Sequence, residues 1–375
     1  MLKTGVSYFG SRIQRHVKDD MQDIARHHCN FVVHTFSELD LQYYRGTMKE
    51  IVRLSRRAGL EVWIDPWAVG GVFGGEHYSR FVMENTDACQ VSAATSQSLP
   101  AACLNNKKFR DFMFSWVDAA LEIGSDVFFW DEPHFYLYPL GRMEKDPVLW
   151  ACRCGVCRRK FKKIFGYEMP RKLNDDIKLF KEDCIVEFLE TMCDYVKASD
   201  QPLDYARDGS RDGEPVEPRP ATPPTPRLRR AGSDIKNAVC LLPFKGALGG
   251  IMDWSKPARI ASLDIIGTDP YWKAGERNVA GMVGNFSKKI YDLAKRFDKE
   301  GQIWILNFRI RRGTEADIGG AITAAYREGI HNLAAWSYGG TGCISFLTSD
   351  EPAKVWDTLG REYARLHRMS VRQGR

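Results

Sequence analysis

Two short stretches carry the residue types that do chemistry. Phe128-Phe129-Trp130-Asp131-Glu132-Pro133-His134 runs from bulky apolar residues straight into two acids, and Cys152-x-Cys154-x-x-Cys157 follows it. Adjacent carboxylates cannot end an apolar run inside a core, because an unpaired buried charge costs too much. They stand where a strand emerges, and Pro133 stops the strand there by removing an amide donor. Paired carboxyls are the tools of general acid–base catalysis. Hydrolysis of a glycosidic bond is one reaction that needs two carboxyls and no other reactive group.

Cys152, Cys154 and Cys157 share one short segment. Thiolates at this spacing can wrap a tetrahedral ion, and a structural Zn²⁺ takes four ligands. The fourth is sought upstream, where Cys103 precedes a predicted helix and Cys89 is the reserve. Four thiolates leave no position open for water, so a zinc here would be structural. It would pin the loop after the fourth strand beside Glu132. Ten cysteines in 375 residues, clustered in this way, point to a metal site in a reducing compartment rather than a disulfide scaffold.

Short apolar runs at 5–10, 31–36, 61–65, 126–130, 237–242, 265–268, 303–308 and 333–337 read as strands. Between them, 18–28, 48–58, 109–123, 177–196, 283–297 and 316–328 show helical spacing of apolar residues. Strict alternation implies parallel strands, and eight units close a (β/α)₈ barrel over 1–375. An open doubly wound sheet would want a glycine-rich phosphate turn after the first strand, and Gly10-Ser11-Arg12 is not one. Chemistry in such a barrel sits at the C-terminal ends of the strands.

Two segments break the rhythm. Residues 69–103 follow the third strand and open with Gly70-Gly71-Val72-Phe73-Gly74-Gly75-Glu76, so a long loop is expected over the barrel mouth. Residues 198–234 are rich in Pro and Arg and nearly without large apolar side chains, so disorder is expected there. They read as an insertion within the barrel or a short frame-shifted stretch of coding sequence. A basic tail is expected over 361–375.

The apolar fraction of 44% fits a globular protein, and the formal charge of +6 is small for this length. The basic residues scatter over helix faces, which argues against a nucleic-acid partner. No signal segment or membrane-length apolar run is read, so a cytoplasmic protein without a membrane partner is expected. Self-association is left open.

The combination of Cys103 before a helix, Asp131-Glu132-Pro133, then Cys152-x-Cys154-x-x-Cys157-x-x-x-Phe161 and Gly166 resembles the barrel domain of glycoside hydrolase family 42 β-galactosidases and their uncharacterised relatives. The resemblance is sharp over 103–166 and loose elsewhere. It implies zinc on Cys103, Cys152, Cys154 and Cys157, no organic cofactor, an oligosaccharide or glycoside substrate, and Glu132 as acid/base. It fails at the seventh strand, where the family's Glu nucleophile should stand and the chain reads Leu306-Asn307-Phe308-Arg309. Family 42 chemistry therefore does not transfer whole.

Other strand-end acids are candidates for the second carboxyl: Asp269, then Asp131, then Asp65. Each residue of this kind can equally cap a helix or hold a loop. The Asp131-Glu132 pair also resembles that of substrate-assisted hexosaminidases, in which the Asp orients an acetamido group that itself attacks. For sugar contacts the strand ends offer Tyr8, His34, Glu38, Trp67, Trp130, His134, Tyr271, Trp272, Asn307, Trp336 and Tyr338. A carbohydrate-binding barrel without catalysis is the competing class, and a carbohydrate lyase using His134 or Tyr136 is the third.

Overall fold

The computed structural model describes residues 2–138, 146–200, 235–243 and 249–373. Eight parallel strands close into a barrel: β1 Lys3–Tyr8, β2 Phe31–Thr35, β3 Glu61–Asp65, β4 Val127–Asp131, β5 Lys236–Leu241, β6 Ile265–Thr268, β7 Glu300–Leu306 and β8 Asn332–Trp336. Each strand pairs with its neighbours in chain order, and β8 returns to β1 with Gly5 opposite Ala334. Helices α1 Gln14–Arg26, α2 Arg45–Arg57, α3 Lys107–Ile123, α4 Asp175–Asp200, the single turn α5 Ser255–Ala258, α6 Val279–Arg296, α7 Ala316–Arg327 and α8 Pro352–Gln373 form the outer layer. The expected (β/α)₈ barrel is the fold observed.

Side chains alternate along each strand, so the barrel has two cores. Phe31, Val33, Trp63, Phe129, Ile265 and Trp304 fill the interior. Phe31 stacks on Trp63 at 4.6 Å, and Phe129 meets Trp304 at 4.9 Å. Phe128 and Trp130, one position off Phe129, point the other way and pack with Trp116 of α3 in the outer core. The interior is packed solid, which leaves its C-terminal rim as the place for a site.

The 69–103 stretch is more ordered than a loop. It makes a turn over the mouth, a short helix Arg80–Glu84, and an antiparallel hairpin of Cys89–Val91 with Ser98–Ala102. Residues 198–200, expected to be disordered, continue α4. The rest of that expected insertion, 201–234, lies outside the described residues. The segment read as a basic tail from 361 is the second half of α8 through Gln373, with Tyr363 and Leu366 buried against the barrel. Its apolar residues recur at helical spacing, and that pattern outweighs its charge. Among the described residues no helix is long and apolar enough to cross a membrane.

Candidate active site at the barrel mouth

Asp131 ends β4 with the parity of Phe129, so its side chain enters the barrel. Glu132 should then face outward. Its φ of 43° places it in the left-handed region, which a non-glycine residue adopts only at a cost. That twist turns Glu132 inward as well. Its amide still donates to the Cys240 carbonyl of β5 at 3.1 Å, and its carbonyl accepts from His134 Nδ1 at 2.5 Å. A Cβ on Gly74 would lie 2.2 Å from Asp131 Oδ2 and 3.4 Å from Glu132 Oε2, so the long loop sits directly on both carboxyls. The Gly74 amide donates to the Asp131 carbonyl at 3.1 Å.

Asp269, just past β6, completes the group: it lies within hydrogen-bonding reach of the Glu132 carboxyl, while its Oδ1 has no partner. Asp65, at the end of β3, is fully buried, and neither of its carboxyl oxygens has a hydrogen-bond partner. All four acids are raised above the ordinary carboxyl range, first by burial and then by one another's charge. Asp269 is pushed up to about 7, chiefly by burial. Among the described residues no lysine or arginine ion-pairs with any of the four. Asp131 and Glu132 are walled by protein yet keep an edge open to solvent, as groups at the floor of a recess do. Crowded like charges in a poorly solvated recess cannot all ionise, so the cluster retains protons near neutrality.

Aromatic rings border the acids. Trp336 lies half-buried and stacks on Trp67 at 4.8 Å with 13° between planes, and Phe9 packs on both. Tyr271 forms the opposite wall beside Asp269, edge-on to Phe308 at 5.2 Å. No acid stands at the end of β7. Asn307 is buried there and donates to the Ser337 carbonyl at 2.9 Å, while its Oδ1 is unpartnered. Glu315 lies beyond the turn and pairs with Lys354 of α8 at 3.1 Å.

The barrel resembles those of several solved proteins. The endo-1,4-beta-mannanase of Rhizomucor miehei aligns with a TM-score of 0.55 at 10% identity, covering 97% of this chain and 95% of that one. The endo-beta-1,4-mannanase of Thermotoga petrophila gives 0.53 at 11%, covering 97% and 76%. A GH5_18 protein of Streptomyces cattleya, solved with GlcNAc, gives 0.54 at 9%, covering 97% and 80%. At these identities the likeness is one of fold. No family model and no curated protein matches the chain.

The four expected cysteines converge, their sulfurs all within 4.8 Å of one another. Cys103 Sγ is 3.6 Å from Cys154 Sγ and 3.5 Å from Cys157 Sγ. Such a cluster can hold a metal ion. Backbone amides of Val91 and Cys157 and the Asn105 side chain donate to these sulfurs at 3.3–3.4 Å, as donors around metal thiolates do. Cys89, the reserve, instead turns toward the Val82 and Asn85 carbonyls.

Five of the expected sugar contacts are corrected by their placement. Trp130 is fully buried outside the barrel wall and donates to Asn237 Oδ1 at 3.1 Å. Tyr8 and His34 share its outward parity; Tyr8 bonds Asp20 of α1 at 2.6 Å and His34 bonds Ser55 of α2 at 2.8 Å. Tyr338 joins Tyr8 on Asp20 at 3.0 Å. Glu38 accepts from the amides of Gly70 and Phe81 and the Ser79 hydroxyl at 2.6–2.9 Å, so it ties down the long loop. Strand parity, legible in the sequence, separates Tyr8 from Phe9 and Trp130 from Asp131. Phe9, Gly74, Glu76 and Cys240 reach or border the acid cluster; Phe9 and Cys240 went unread, and Gly74 and Glu76 were legible only as part of a loop over the mouth. Trp272 is buried beside Tyr271, and His134 braces Glu132 through its backbone.

Proposed function

We propose that this protein is a glycoside hydrolase with Glu132 as its acid/base. The observation that carries the reading is the Glu132 carboxyl itself: at a strand end on the barrel mouth, raised by burial, bonded to Asp269 and bordered by aromatic rings. A carboxyl kept protonated near neutrality can donate to a departing sugar oxygen. Tyr271, Trp336 and Trp67 supply flat faces for a pyranose. The fold neighbours that are glycosidases, and the sequence likeness to family 42, favour the same class.

Asp269 is assigned a narrower role than the sequence implied. A retaining pair needs about 5–5.5 Å between carboxyl groups, and an inverting pair needs more. A shared hydrogen bond leaves no room for a sugar carbon between them. Asp269 therefore acts as a positioning residue that shares a proton with Glu132, and Asp131 is the remaining partner. This contact, with Asn307 where a strand-seven acid would stand, favours a second mechanism. In it Asp131 orients an N-acetyl group that attacks the anomeric carbon, and no protein nucleophile is needed.

The cysteine cluster is read as a structural zinc site. Four sulfurs around Zn²⁺ at about 2.3 Å stand roughly 3.8 Å apart in a tetrahedron, close to the separations found here. Its ligands would lock the loop behind Glu132; no step of catalysis passes through it.

The test is turnover on aryl glycosides and natural oligosaccharides, N-acetylhexosaminides included, by wild type and Glu132→Gln. Loss of a general acid should cost about 10²–10⁴-fold. Equal turnover by both proteins removes Glu132 from the role. Measured sugar affinity without turnover in wild type makes the protein a binding barrel. A hit confined to N-acetylhexosaminides selects the substrate-assisted mechanism.

A further inference from the structure

A second recess lies beside the acid cluster, between the loops that follow β6 and β7. It encloses about 420 Å³, within the roughly 300–1,000 Å³ range of small-ligand sites. Tyr271 belongs to both: it lines this cleft, and it stands beside Asp269, Asp131 and Glu132. The two recesses thus share a wall.

The cleft is unlike the mouth in charge. Lys273, Arg309 and Arg311 line it. Among the described residues none of the three has a carboxylate within 4.0 Å. Their neighbours are paired: Arg312 with Glu351 at 3.5 Å, and Lys354 with Glu315 at 3.1 Å. Arg309 is held in place without being neutralised. Its guanidinium lies over the Phe346 ring at 4.0 Å, and Nε donates to the Phe346 carbonyl at 3.0 Å. Its terminal nitrogens are left with no protein acceptor among the described residues. Its charge also reaches Glu76 at the mouth, where burial raises the carboxyl and the Arg309 charge opposes that rise in part. Glu276 and Asp317 line the cleft too. Glu276 accepts from the Asn278 amide at 3.0 Å and offsets one of the three cations, and burial favours the neutral form of Asp317, so the cations remain in excess.

We infer that this cleft is a subsite for an anionic substituent, a uronate carboxylate or a sulfate, so that the substrate is an acidic oligosaccharide. The inference rests on the glycoside hydrolase reading above. A planar guanidinium fixed on an aromatic ring presents its free donors in the fork that carboxylates and sulfates match. Three unpaired cations around one recess repel one another and gain most from an anion. The acids next door, raised above their ordinary range by burial, oppose that anion less than a fully ionised cluster would.

Titration calorimetry on the full chain tests this. The probes are a glucuronate-bearing disaccharide, its twin with the carboxyl reduced to an alcohol, and a sulfated disaccharide. Wild type should bind an anionic probe about tenfold more tightly than the neutral twin, the worth of a charged hydrogen bond. Which anion wins separates uronate from sulfate. The preference should shrink in Arg311→Gln and in Lys273→Gln, both exposed positions, and vanish in Arg309→Gln/Arg311→Gln. It should persist in Glu132→Gln. Equal binding of charged and neutral probes, or a preference that survives the double variant, overturns the inference. Turnover of neutral glycosides without any anion preference overturns it and spares the hydrolase. Anion preference with no turnover of any glycoside does the reverse.

Discussion

Replacing Asp269 by Asn tests the proton-sharing arrangement through stability, without needing a substrate. An unfolded Asp ionises near its ordinary value of 3.8, whereas the folded Asp269 carboxyl is pushed up to about 7, first by burial. Between those values the folded chain holds a proton that the unfolded chain has lost. Stability from this group is therefore fully present below about pH 4 and is lost as pH rises to about 7. The sign is opposite to that of a salt-bridged acid. Three pH units at about 1.4 kcal/mol each give roughly 4 kcal/mol. Asn is neutral throughout, and its Oδ1 can still accept from the Glu132 carboxyl. At pH 4 the two proteins should differ by about 1 kcal/mol or less. At pH 8 Asp269→Asn should be the more stable by up to ~4 kcal/mol. At about 2.1 cal/mol/K of unfolding entropy per residue, that is roughly 5 °C in melting temperature for a chain of this length. Urea midpoints for both proteins at pH 4.5, 6 and 8 provide the assay. The difference between them is the quantity that matters, because all other carboxyls titrate in both. Parallel curves across this range would refute a raised, proton-holding Asp269.

Three further outcomes follow from the packing. Gly74→Ala puts a methyl 2.2 Å from Asp131 Oδ2, so it should cost about 1–3 kcal/mol and lower activity together, read by melting and by turnover. Trp130→Phe leaves Asn237 Oδ1 without its donor in a buried wall. It should cost about 1–3 kcal/mol in urea unfolding with sugar affinity unchanged, whereas Trp336→Ala should weaken sugar binding measured by titration. Cys152→Ser should lower bound metal, measured by elemental analysis, from one ion per chain toward none, with a fall in melting temperature that excess chelator reproduces in wild type.

The strands were legible because a barrel wall is buried on both faces. Val32-Val33 and Ile303-Trp304-Ile305 read as unbroken apolar runs for that reason. The same property hid which residue of each run faces the mouth. Trp130 and Tyr8 look like platforms in sequence, yet parity assigns them to the outer core beside Trp116 and Asp20. Glu132 breaks parity, and only the backbone twist at 43° brings it beside Asp131. Nothing local in the sequence marks that twist. Glu76 and Gly74 were legible only as part of a loop over the mouth, because their place beside the acids is fixed at a distance, by Glu38 binding that loop. Three of the four cysteines were legible from spacing alone. Cys103 required a pairing across about fifty residues, with Cys89 as the competitor, and the four sulfurs do lie together.

A recess of mutually repelling acids must be held together by something outside it. The chain from Pro133 to Tyr138 carries Glu132's flank and has no strand or helix of its own. It is stitched to the 69–103 stretch instead: His134 donates to the Val72 carbonyl in the turn over the mouth at 2.9 Å, and at the hairpin Tyr136 donates to Gln90 Oε1 and Tyr138 to Ser92 Oγ, both at 3.0 Å. The hairpin is in turn joined to the cysteine cluster, where the Val91 amide donates to Cys152 Sγ and Arg153 donates back to the Val91 carbonyl. Gln90 is the link between the two, fully buried, with its Nε2 on the Ala102 carbonyl beside Cys103. Repulsion among Asp131, Glu132 and Asp269 pushes β4's end away from β6, and this run of hydrogen bonds opposes it. The thiol cluster and the carboxyl cluster are thus coupled through backbone: loosening the first should free Glu132 to relax away from Asp269, at the expense of the proton they share.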